Sequence, residues 1–144
     1  MLTSDQKGAV AELAIAHAAT ELGVGVSRPL GDQRYDLIFD FGDRLVRVQC
    51  KWACRYRDVV IVRCYRARRN GDGLVRRVYQ RHEVDAFAAY CADLRQCYFL
   101  PFDCIPPGGT LQLRLSRPRN NQELGVHWAK QYELADTLGA GKGP

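Results

Sequence analysis

Four polar residues stand out because their types and spacing could hold a hydrated metal ion beside a lysine: Glu12, Asp36, Gln49 and Lys51. Two carboxylates, an amide oxygen and the main-chain carbonyl of Cys50 make a set of oxygen donors, which suits Mg²⁺ or Mn²⁺ and not a soft metal. A lysine next to such an ion can orient or deprotonate a water, while the cation offsets the negative charge that builds on phosphorus during attack. That combination performs phosphodiester hydrolysis. The candidate catalytic residues are Glu12, Asp36, Gln49 and Lys51, and the candidate metal ligands are Glu12, Asp36, Gln49 and Cys50.

For these residues to meet, three elements must form. Thr3 followed by Gln6 has the spacing of a capping box, and the run from Gly8 to Leu22 stops at Gly23, so a helix is expected. Glu12 lies three, four and seven residues before Ile15, Ala16 and Ala19, which places its carboxylate on an otherwise apolar face. An ionised glutamate there needs a cation, hydrogen-bond donors or a proton. His17 falls on another face and reads as an ordinary helix histidine.

The segment from Tyr35 to Phe41 alternates as a strand does, Gly42-Asp43 reads as a two-residue hairpin turn, and the return strand runs from Arg44 to Trp52. Pairing Phe41 with Arg44 puts Phe39 opposite Val46, Leu37 opposite Val48 and Tyr35 opposite Cys50, which builds one apolar face. The other face is polar: Asp36 falls opposite Gln49, with Lys51 two residues further along the same side. The first helix is expected to cover that polar side and deliver Glu12 to it.

Charge is unevenly spread. Net charge is +5, yet Arg44 to Arg81 holds twelve arginines and lysines against only Asp58 and Asp72 as acids. Eleven of the twelve are arginine, the residue suited to bidentate phosphate contacts, so a nucleic acid is the expected partner. The stretch is strand-like and lacks the large apolar helical face that a membrane surface would want. Arg55, Arg57, Arg66, Arg68, Arg69, Arg76 and Arg77 are the candidate DNA-binding residues.

Further along, Asp58 to Tyr65 reads as a strand, Arg66 to Gly73 as a basic turn and Leu74 to Tyr79 as its return, giving an extra basic hairpin. Glu83 to Leu94 has acids in its first turn and apolar Val84, Phe87, Ala88 and Cys91, which predicts a second amphipathic helix. Strands are expected over Gln96 to Leu100 and Thr110 to Leu115, a polar loop over 117–122 and a short element from Val126 to Leu134. Residues 139–144 read as a disordered tail, so the domain is placed at 1–138.

With 144 residues, 47% hydrophobic and 26% charged, the chain can bury a core, and global disorder is excluded. Its longest nearly apolar stretch, Ala9 to Ala19, is too short to span a bilayer. The first residues lack an export signal, so a cytoplasmic protein with reduced cysteines is the expectation; no Cys-x-x-Cys pair suggests zinc.

Arg34-Tyr35-Asp36, then Gln49-Cys50-Lys51 with Gln49 thirteen residues after Asp36, and the preceding Lys7-Gly8-Ala9-Val10-Ala11-Glu12 resemble the PD-(D/E)XK nuclease superfamily. The similarity is closer to its small branch that includes homing endonucleases encoded in group I introns, and extends through Tyr79 to Tyr90 and Tyr98-Phe99-Leu100-Pro101. The resemblance implies an α+β, restriction-endonuclease-like core of helix, three-stranded antiparallel meander, helix and strand. It also implies metal-dependent cleavage of double-stranded DNA, with Glu12 and Asp36 as metal ligands, Gln49 replacing the second acidic residue of the motif and Lys51 as the catalytic lysine. Mg²⁺ is the expected cofactor, with Mn²⁺ an alternative. Because a duplex has two strands and one chain carries one site, a homodimer or homotetramer is expected. A branched-DNA resolvase on the same scaffold and a catalytically silent DNA-binding module are the rival readings.

Overall fold

A computed structural model describes residues 1–117 and 125–138 of the chain. Helix α1 spans Ser4–Glu21 and starts at the expected capping box: Thr3 Oγ1 accepts from the Gln6 N–H at 3.2 Å, and Gln6 Oε1 accepts from the Thr3 N–H at 2.9 Å. It buries Ala11, Ile15 and Ala19, and the chain turns away at Gly23, whose φ of 86° suits glycine.

Strands β1 (Gly25–Ser27), β2 (Leu37–Asp40) and β3 (Leu45–Tyr56) form an antiparallel set. Leu37 pairs with Val48 and Phe39 with Val46, the register that alternation requires. Leu37, Phe39, Val46, Val48 and Cys50 pack against Ile15 and Ala19 of α1. The helix therefore covers the apolar face of the hairpin and not its polar face, because only there does it remove its own apolar stripe from water. Phe39 is fully buried between Phe41 and Phe99. Phe39→Ala should cost about 3–5 kcal/mol of stability, read as a lower urea midpoint at unchanged m-value.

Tyr35 does not pair with Cys50. The chain bends at Asp36, so Tyr35 packs with the second apolar cluster, on the opposite side of the sheet from Cys50. A bend breaks the two-residue alternation on which the expected pairing rested.

Strand β3 is the spine of the sheet. Its residues 45–48 pair with β2, and Cys54 to Tyr56 pair with β4 (Val59–Arg63). The stretch Val48 to Ala53 pairs in parallel with β7 (Ala86–Cys91), which in turn pairs antiparallel with β8 (Gln96–Pro101). Beyond β4 lie β9 (Thr110–Arg114) and the short β10 (His127–Trp128), while helix α2 (Leu134–Leu138) packs beside α1 and β8.

The helix predicted over Glu83 to Leu94 is strand β7. Ala86 and Ala88 enter the cluster under α1, whereas Phe87, Ala89 and Cys91 enter the cluster on the other face. A strand buried on both sides is apolar throughout, and a short run of that kind contains helix-spaced apolar positions by construction. Asp85 is not a helix-start acid either: its carboxylate takes the Arg47 guanidinium at 2.9 and 3.0 Å and the Arg47 N–H at 2.8 Å. The chain is α+β, with a sheet where the second core helix was expected.

The predicted strand Asp58 to Tyr65 is broken at Cys64, whose N–H is taken by the Gly109 carbonyl at 2.6 Å. A side chain at Gly109 would meet that Cys64 carbonyl at 3.1 Å, and its φ is 83°, so glycine permits the crossing. The basic turn is largely strand: β5 (Tyr65–Asn70) and β6 (Gly73–Val78) form a separate two-stranded ribbon turning at Gly71-Asp72. All six cysteines are free thiols. No described helix is long and apolar enough to cross a membrane. Apart from Arg117, the polar loop at 117–122 lies outside the described residues, as does the 139–144 tail.

Candidate functional site

One edge of β3 is open between its pairing with β2 and its pairing with β4, since residues 49–53 have no strand partner other than β7. Asp36 fills the start of that gap. Its N–H donates to the Val48 carbonyl at 2.9 Å, and its carboxylate accepts from the Cys50 N–H at 2.9 Å, replacing a ladder bond with a side chain. A strand residue directs its N–H and its carbonyl to the same edge, so the Cys50 carbonyl faces Asp36 as well.

Asp36 is the electrostatic hub. Burial pushes its carboxyl above the ordinary aspartate range, against the Cys50 N–H and the charge of Lys51. Burial and then the Asp36 charge push Glu12 up too, opposed by Arg28, which pairs with Glu12 at 3.0 Å. Glu12 is 23% exposed and Arg28 74% exposed, so this partner is a solvent-side arm.

Lys51 comes to the site from the opposite face of the sheet to α1. Nζ donates to the Tyr65 carbonyl at 3.1 Å and lies 5.1 Å from the centre of the Tyr79 ring. Burial pulls its ammonium below the ordinary lysine value, with Arg66 and Arg34 adding like charge while Asp36 opposes them. Neighbouring Cys64 is pushed up to about 12 by burial, so it stays a thiol and offers no nucleophile. Gln49 alternates to the same side as Lys51 and is half-buried, paired through its backbone with Phe87. Among the described residues no polar contact joins its side chain to Glu12, Asp36 or Lys51.

Asp36, in the plane of the sheet, thus lies within electrostatic reach of Glu12 from the α1 face and of Lys51 from the opposite face, rather than all of them sharing the single polar face expected. The donor chemistry fits a hard divalent cation. Two half-desolvated carboxylates whose charges repel are relieved by a cation between them, and the Cys50 carbonyl adds a neutral oxygen. No group of three His, Cys, Asp or Glu side chains converges among the described residues, so a bound ion here would rely on amide, carbonyl and water oxygens for the rest of its shell.

Two neighbours of Lys51 have no role assigned by residue type or spacing. Tyr79 reads as a core residue, yet its ring lies beside Lys51 and carries the Arg34 guanidinium at 4.1 Å. Arg34 Nη1 pairs with Glu83 Oε2 at 3.1 Å, so the buried guanidinium is held between this carboxylate and the Tyr79 ring. Only the fold reveals this, because Arg34 and Tyr79 are far apart in the chain.

The arginines divide into two groups. Arg47 is tied to Asp85 and the His82 carbonyl, whereas Arg81 pairs with Asp103 on the surface. Arg66, Arg68, Arg69, Arg76 and Arg77 are exposed on the β5–β6 ribbon, though Arg77 also reaches Glu83 at 3.5 Å. Arg55 and Arg57 are exposed at the β3–β4 turn, where Arg55 Nε donates to the Arg57 carbonyl at 2.9 Å; Arg55 lies about 13 Å along the strand from Lys51.

The profile of the PD-(D/E)XK endonuclease family matches residues 2–135. The chain belongs to the PD-(D/E)XK endonuclease family. The bacterial homing endonuclease I-Ssp6803I is structurally similar, with a TM-score of 0.76 and 30% identity over 93% of this chain and 90% of that one. No curated protein sequence matches the chain. In this PD-(D/E)XK chain Tyr35 stands where the motif's name has proline, and the ring packs into the second apolar cluster while the backbone bend still delivers Asp36. Gln49 stands where the motif has an acid.

Proposed function

We propose that residues 1–138 form one nuclease domain that hydrolyses phosphodiester bonds of double-stranded DNA with Mg²⁺, or Mn²⁺ in its place, acting as a homodimer or homotetramer. The observation that carries this reading is the open edge of β3, where Asp36 lies within electrostatic reach of both Glu12 and Lys51. Glu12, Asp36, Gln49 and the Cys50 carbonyl are the ligands we assign. When bound there, the ion offsets charge on the scissile phosphate and acidifies water. Asp36 holds its carboxylate at the edge through the Cys50 N–H. Lys51, half-buried and with its ammonium disfavoured by burial, assists in activating the attacking water. Arg55, Arg57, Arg66, Arg68, Arg69, Arg76 and Arg77 attract the DNA backbone, and the similarity to a homing endonuclease supports a duplex as its form. One site per chain cuts one strand, so a two-fold assembly is needed to cut both.

The test is an end-sequencing assay on a random duplex library. Cleavage should appear with Mg²⁺, stop with EDTA and return when Mg²⁺ is added in excess. Binding that is indifferent to divalent metal, with no new ends at any metal concentration, would reduce the protein to a DNA-binding module. Cutting confined to four-way junctions would make it a resolvase.

A further inference from the structure

The β5–β6 ribbon carries a pattern that phosphate attraction alone does not require. Arg66 pairs directly with Arg77 and Arg68 with Val75, and alternation puts these four on one face. Tyr65, Ala67, Arg69, Leu74 and Arg76 lie on the other, where the Arg76 guanidinium sits 4.7 Å over the Tyr65 ring. Like charges opposite each other destabilise a strand pair, so the Arg66–Arg77 rung makes sense beside a polyanion. The charge of Arg66 acts on Asp36, Lys51 and Tyr79, so the root of its face adjoins the candidate active site.

Toward the tip the chemistry changes. Leu74 is 60% exposed beside Arg69 on one face and Val75 42% exposed beside Arg68 on the other. A major groove admits a two-stranded ribbon, and its floor offers guanine O6 and N7 to an arginine fork and thymine methyl groups to apolar side chains. We propose that the β5–β6 ribbon enters the major groove beside the cut, with Arg66 and Arg77 on phosphates at its root and Arg68 and Val75 reading base edges toward its tip. Strand rise and base-pair rise are nearly equal, so Arg68 reads about two to four base pairs from the scissile phosphate. The ribbon's five arginines against the single acid Asp72 disfavour a second copy of the same ribbon as occupant.

The inference rests on the DNA-binding part of the proposed function, and binding is scored in EDTA so that a chain unable to cut still answers. The full-length protein and its Arg68→Ala, Val75→Ser and Arg66→Ala variants are each used to select bound sequences from a randomised duplex at one salt concentration. Arg68→Ala should lose about tenfold in guanine preference at one position, and Val75→Ser should lose preference for a neighbouring thymine. Arg66→Ala should weaken all sequences alike and leave the selected pattern unchanged. End mapping in Mg²⁺ with the wild type then sets the distance of that guanine from the cut. An unchanged pattern in Arg68→Ala, a wild type with no base preference, or loss of an oligomer on sedimentation of Val75→Ser would each overturn the assignment. Selective binding by a wild type that never cuts would refute the nuclease reading alone.

Discussion

Lys51→Met should slow DNA cleavage by about 10²–10⁴-fold under single-turnover conditions while leaving affinity for the uncut duplex within a few-fold of wild type. The two effects separate because Lys51 lies inward, its Nζ held by the Tyr65 carbonyl above the Tyr79 ring, whereas the arginines that meet phosphates are exposed on the ribbon and the β3–β4 turn. Methionine keeps most of the stem and its contact with the ring but holds no proton at neutral pH. Since burial disfavours the Lys51 ammonium, removing it should not lower the thermal midpoint. A drop in activity accompanied by unfolding would thus have a different origin, and an unchanged cleavage rate would reject Lys51 as the group that handles the water.

Asp36→Asn should weaken divalent-metal activation at least about 100-fold and, in EDTA, make the protein more stable than wild type near neutral pH. The asparagine oxygen can still accept from the Cys50 N–H, so the edge of β3 keeps its bond. The sign follows from burial. A carboxyl whose folded pKa is raised binds its proton more tightly when folded, so the wild type loses stability as pH rises from the ordinary aspartate range through the raised value. Asparagine has no such loss, and the gain should vanish in acid, where Asp36 is protonated in both states. Thermal melts in EDTA across that pH range measure it. A variant that is less stable at every pH would mean Asp36 serves the fold alone. Stability given up at a single buried acid is a usual mark of a functional position.

Both predictions concern residues that could be named before any coordinates. The hairpin was legible because alternation over Tyr35 to Phe41 and Arg44 to Trp52 permits one register that buries Leu37, Phe39, Val46 and Val48 together. The first helix was legible because its capping box and its closing glycine are both local. The second helix was not. Ala86 to Cys91 is apolar throughout because it is covered on both faces, and periodicity cannot tell such a strand from a helix. The ribbon was visible as a cationic hairpin, but its strand ends were misplaced, since consecutive arginines hide the alternation.

Local chemistry by itself determined the hard-oxygen donor set, the lysine, the cationic middle of the chain and the hairpin that holds Asp36 directly before the buried Leu37. Each depends on residue type or short spacing, which survive in any compact arrangement. Only tertiary structure decided that α1 covers the apolar face, that the site opens at a gap in β3 and that Tyr79 and Arg34 gather beside Lys51. It also decided that Arg47 and Arg81 pair with Asp85 and Asp103 while the ribbon arginines stay exposed. These outcomes join residues dozens of positions apart, and the free energy that selects them comes from burying two apolar clusters at once, a quantity that no local stretch of chain contains.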